Sequence, residues 1–143
     1  MLSRWAFCAV VALLGLPACD SGGSETQKEG EGADAPAALT VRAFYDAAND
    51  AAGGKACALL TANGIRTVVR VKTRSACVRT IDEFSPGSFT GKDGEILEVE
   101  GVEERGGDAY DVEGVVKSRS AGVYSVVKRN GRLLIDGFEP EEG

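Results

Sequence analysis

The chain has 143 residues, enough for one domain with a modest core. Apolar residues make up 43% and charged residues 27%, the balance of an ordinary globular protein, and the net charge of −6 excludes a general affinity for nucleic acid. Histidine is absent, which removes the usual general base, the Ser-His and Cys-His nucleophile pairs and the commonest metal ligand.

Residues 1–18 have the layout of an export signal. Arg4 supplies a short positive start, Ala6 to Leu16 is apolar, and small Ala18 precedes Cys19. The apolar run is about 11 residues, whereas a membrane helix needs about 20. Leu16-Pro17-Ala18-Cys19 resembles the bacterial lipobox, which implies cleavage before Cys19 and a lipid on its thiol. The competing reading, a buried cysteine ending a core helix, sits badly with Asp20-Ser21-Gly22-Gly23-Ser24 directly after it. Residues 19–37 then read as the lipidated cysteine and a flexible acidic tether. Asp20 to Ala35 carries four glycines among Ser, Glu, Lys and Gln and cannot form a core. As a flexible chain it spans on the order of 20–25 Å. Cleavage takes the net charge from −6 to −7, because Arg4 leaves and no acid does. The expected location is the extracytoplasmic face of the cell membrane, with the lipid as the attachment.

Export also sets the redox compartment. Cys8 leaves with the signal and Cys19 carries lipid, so Cys57 and Cys77 are the pair expected to be joined. The loop they close fits a stabilisation of roughly 3 kcal/mol. The alternative is two inert buried thiols.

Residues 38–143 form the expected domain. Asp34 is a possible N-cap and Pro36 falls in a first turn. Val41, Phe44, Tyr45 and Ala48 follow i, i+3, i+4, i+7 spacing, the signature of a helix with one buried face. Gly53-Gly54 is expected to end it. A second helix is predicted over Lys55 to Thr61, stopped at Asn63-Gly64. Residues 65–74 fit either a strand with a basic face or a helix. Ser75 is a candidate cap for a further helix that turns Cys77, Val78, Ile81 and Phe84 inward.

The remainder reads as a four-strand meander. Leu97 and Val99 mark the first strand, and Gly106-Gly107 turns the chain. Tyr110 to Val116 alternates as a second strand, and Ala121-Gly122 turns again. Val123 to Arg129 and Leu133 to Phe138 flank Asn130-Gly131, the strongest hairpin signal in the chain. A two-residue turn there pairs Val126 with Ile135 and Val127 with Leu134. Helices followed by an antiparallel sheet make an α+β domain.

Val41-Arg42-Ala43-Phe44-Tyr45-Asp46-Ala47, Ala56-Cys57-Ala58-Leu59-Leu60-Thr61, Cys77 and Gly131-Arg132-Leu133-Leu134-Ile135-Asp136-Gly137-Phe138 together resemble the nuclear-transport-factor-2-like superfamily. The form is that of small actinobacterial lipoproteins, and the resemblance covers roughly residues 38–139. It implies a cone: a curved sheet of about four strands wrapped around the long first helix, with a pocket between them. It also implies the Cys57–Cys77 bridge and favours the helical or irregular-turn reading of 65–74. Enzymatic branches place acid–base residues in the pocket, many of them His or Asp, and His is absent here.

The candidate pocket residues are Tyr45, Tyr110, Tyr124 and Asp136. The tyrosines can line a pocket with their hydroxyls, or simply fill core. Asp136 is the acid to hold for acid–base work, because on the hairpin register it shares a face with Ser125, Leu134 and Val127. Arg66, Arg70, Lys72, Arg74 and Arg79 form a run with no acid among them, either a basic patch or a solvated face. Lys92-Asp93-Gly94-Glu95 has too few carboxylates for calcium, and no metal or cofactor is expected. These features point to a lipid-anchored binding or accessory module for a small apolar ligand or an envelope protein. The alternatives are a histidine-free small enzyme using an Asp in the cone pocket, and a structural or sensory lipoprotein.

Overall fold

A computed structural model describes residues 32–84, 86–89, 96–116 and 121–143. The first helix, α1 (Pro36–Asn49), buries Val41, Phe44, Tyr45 and Ala48, the stripe its spacing predicts, together with Ala37 and Ala38. Its N-cap is Ala35 rather than Asp34, and Pro36 takes the first helical position. The helix ends at Asn49, with Ala51 in the left-handed region at φ 53°.

Gly53-Gly54 does not end α1 but opens α2 (Gly53–Cys57). Gly53 is there for close packing: a methyl group would overlap the Val78 carbonyl oxygen, and its N–H donates to Asp82 Oδ1 at 2.7 Å. The predicted helix over Lys55 to Thr61 is likewise shorter. After Cys57 the chain leaves the helix to pair with the last strand. Ile135 N–H donates to the Leu59 carbonyl at 2.8 Å, and Thr61 N–H donates to the Ile135 carbonyl at 3.0 Å. These inter-element bonds outcompete helical propensity. Thr61 then caps α3 (Ala62–Gly64), its Oγ1 accepting from Gly64 N–H at 3.0 Å. Asn63-Gly64 is therefore inside a helix, not at its stop. The helix continues as a π-helical turn, Ile65–Val69, burying Ile65 and Val68. Arg70 closes it in the left-handed region at φ 65°. The fourth helix, α4 (Arg74–Asp82), is capped by Thr73 instead of Ser75, with Thr73 Oγ1 accepting from Ala76 N–H at 3.1 Å. Cys77 and Ile81 face inward from it.

The sheet is a meander of β1 (Leu97–Gly106), β2 (Ala109–Val116), β3 (Gly122–Arg129) and β4 (Arg132–Pro140), antiparallel throughout and in chain order. Asn130 and Gly131 both have positive φ, 51° and 75°, as a type I′ hairpin requires. Val126 faces Ile135 and Val127 faces Leu134, the predicted register. The β1–β2 turn sits one residue later than expected, at Gly107-Asp108. α1 touches all four strands, so the core lies between the helix and one sheet face. The domain is α+β. Cys57 and Cys77 form a disulfide that ties α2 to α4, and both are fully buried.

Candidate functional site

The four candidate pocket residues separate into three places. Tyr45 on α1 and Tyr124 on β3 are fully buried and meet each other, their hydroxyls 2.8 Å apart. Phe44 and Phe89 pack edge-on to Tyr45, and Phe138 lies tilted against Tyr124 at 4.7 Å between ring centres. Such pairs each contribute about 0.5–1.5 kcal/mol beyond their buried area. The middle of the domain, where the cone pocket was expected, is thus filled by interlocked aromatic rings with their polar ends tied together.

Asp136 is not beside these hydroxyls. The pairing of β3 with β4 slips after Val126, so that Ser125 faces Gly137 and Asp136 becomes the extra residue of a bulge. It therefore does not share a face with Ser125 as the plain hairpin register predicts. Its carboxylate accepts from Thr61 Oγ1 at 2.7 Å and lies 3.8 Å from the Arg129 guanidinium. Its carbonyl accepts from Asn63 Nδ2 at 2.7 Å. Thr61 Oγ1 also takes the Gly64 N–H, so one hydroxyl caps α3 and holds β4 at once. Chemically this is a clasp between α3 and the bulge. The signal that reveals it in the sequence is Thr61 three residues before Gly64, the spacing of a capping side chain.

Tyr110 lies elsewhere again, half-buried near the β1–β2 turn. It borders a hollow of about 180 Å³ that opens where α1 begins. Ala35, Pro36 and Ala37 form the helix side of this hollow. Val102 and Glu104 of β1, Tyr110 of β2 and Leu133 of β4 form the sheet side. The lining is apolar apart from one carboxylate and one phenol. Pockets for drug-sized molecules run to roughly 300–1,000 Å³, so this one suits a smaller group. Val102, Glu104 and Leu133 carry no sequence motif; only the β1–β2 register brings Glu104 opposite Tyr110.

The basic run also divides. Arg66, Arg70, Lys72, Arg74 and Arg79 are all exposed, but they differ in what they hold. Arg74 is tied down: its guanidinium donates to the Cys57 carbonyl and, at 3.1 Å, to the Leu60 carbonyl. It thereby adds a second donor to the Cys57 carbonyl, which already accepts from Leu60 N–H at 3.2 Å, and binds the Leu60 carbonyl where the chain leaves α2, a structural task that a cation at a helix C-terminus performs well. On the sheet, Arg105 pairs with Asp111 at 2.9 Å.

The expected export signal and Cys19, and the Lys92-Asp93-Gly94-Glu95 stretch, lie outside the described residues. Among the described residues no three His, Cys, Asp or Glu side chains converge on a metal-sized space, and no helix is long and apolar enough to cross a membrane. The chain matches no model of a known protein family, no curated protein and no solved structure.

Proposed function

We propose that the protein is a lipid-anchored, extracytoplasmic binding module on a nuclear-transport-factor-2-like cone, and that it holds a small apolar group at the mouth of the cone rather than in its interior. The observation that carries the binding reading is the contrast between two spaces. The interior is filled by Tyr45 and Tyr124, hydrogen-bonded at 2.8 Å, whereas the hollow beside Tyr110 is open and largely apolar. The meander of four strands crossed by α1 supports the cone. The buried Cys57–Cys77 disulfide supports an oxidising compartment outside the cytoplasm. The lipobox-like Leu16-Pro17-Ala18-Cys19 supports the anchor.

Mass spectrometry of the detergent-extracted protein tests the binding reading. A small molecule that copurifies with the wild type and is lost from Leu133→Trp, a variant that fills the hollow, is the expected result. A compound retained equally by both proteins places binding elsewhere and sinks the assignment to the hollow. The anchor has its own test, since Cys19→Ser should abolish both processing and detergent partitioning. A variant that is still cleaved and still membrane-bound removes the lipid from the account.

A further inference from the structure

We infer that the hollow beside Tyr110 selects a small apolar ammonium, an alkyl or aryl chain ending in a positive charge. The inference rests on the binding reading above and deepens it by naming the ligand class. Ala37, Val102 and Leu133 supply alkyl walls that favour a hydrocarbon chain. Glu104 is the charged side chain of the lining, and no lining residue is basic. Glu104 and Tyr110 are direct cross-strand partners, so carboxylate and phenol ring stand on the same sheet face side by side. A carboxylate next to an aromatic ring at the edge of an apolar hollow is the donor set that holds an ammonium, through charge and through the ring face. The acidic chain, at −6, favours approach of a cation over an anion.

One feature opposes this assignment. The hollow borders the N-terminus of α1, whose positive end favours an anion, and Ala35 offers no side-chain cap there. Glu104 meets the ligand cation; a Glu104 that answered the positive end of α1 instead would give no preference for a cation, and the two are told apart by experiment.

The three tyrosines of the chain allow the two to be separated. The full chain is labelled with 3-fluorotyrosine, and the fluorine signal of Tyr110 is assigned with Tyr110→Phe. The probes are hexylammonium, hexanol and hexanoate, titrated at low salt. Buried Tyr45 and Tyr124 report that the fold is intact. The expected result is a saturable shift of the Tyr110 signal with hexylammonium binding about fivefold tighter than hexanol, the size of one exposed ion pair. Hexanoate should bind more weakly than hexanol. In Glu104→Gln the advantage of hexylammonium should vanish while hexanol binding is unchanged. If hexanol shifts Tyr110 but hexylammonium binds no tighter, Glu104 serves α1 and the inference falls, with the binding reading left standing. If no probe moves Tyr110, the hollow is not a binding place and both fall.

Discussion

The hydroxyls of Tyr45 and Tyr124 meet at 2.8 Å in the core, although 79 positions separate the residues in the chain. That bond joins α1 to the middle of the sheet and closes the space a ligand would need there. Tyr45→Phe or Tyr124→Phe alone removes one oxygen and with it the bond between the two buried hydroxyls. Each should cost about 1–2 kcal/mol in denaturant unfolding. The double variant should cost clearly less than the sum, because both substitutions delete the same bond. Strict additivity would show that the two hydroxyls do not act together.

The Cys57–Cys77 bridge fastens α2 to α4 across 20 positions of chain. Cys57→Ala/Cys77→Ala should lower stability by about 3 kcal/mol, chiefly by freeing the unfolded chain. Under denaturing but non-reducing conditions, neither cysteine of the wild type should take up an alkylating reagent. Uptake of two groups at these positions, read by peptide mass, would refute the bridge.

Gly64 and Gly54 are both helical glycines with opposite expected responses. A methyl group at Gly64 would overlap the Ile135 carbonyl oxygen, while nothing lies within 4 Å of one at Gly54. Gly54→Ala should be neutral or raise stability by up to about 1 kcal/mol through helix propensity. Gly64→Ala should lower it by about 2 kcal/mol or more, since α3 must move away from β4. Thermal unfolding of the two variants side by side reads the difference in sign.

Arg74 and Arg66 look alike in the sequence and differ in the fold. Arg74→Ala strips a donor from the Cys57 and Leu60 carbonyls and should cost about 1–2 kcal/mol. Arg74→Lys should recover little of this, because an ammonium cannot reproduce the planar fork. Arg66 is exposed, and Arg66→Ala should stay within about 0.5 kcal/mol of wild type. Equal effects at both positions would show that the carbonyl contacts of Arg74 contribute nothing to stability.

Local pattern made much of the architecture legible. Val41, Phe44, Tyr45 and Ala48 repeat with the helical period, and α1 buries that set. Asn130-Gly131 has the residue types that tolerate positive φ, so the hairpin and its Val127–Leu134 and Val126–Ile135 pairs followed directly. The misreadings fall where distant backbone intervenes. Gly53 and Gly64 read as helix stops because glycine usually ends a helix, but each is small to let Val78 or Ile135 come close. Asp136 was misplaced because a bulge adds one residue to β4 and re-aims everything at that point.

The sequence by itself determined the long first helix, the four-strand meander that follows the helices, the Asn130-Gly131 turn, and that Cys57 and Cys77 lie on apolar helix faces. Those properties depend on neighbours within a turn or two of helix or across a two-residue loop, so short-range periodicity and φ preference suffice to specify them. Only the tertiary structure decided that Tyr45 and Tyr124 close the interior on each other, that Arg74 is spent on backbone carbonyls, and that Glu104 and Tyr110 meet beside the start of α1. Each of these depends on register, bulges and the docking of α1 across four strands, which sum weak preferences over the whole chain and leave no mark in any short stretch of it.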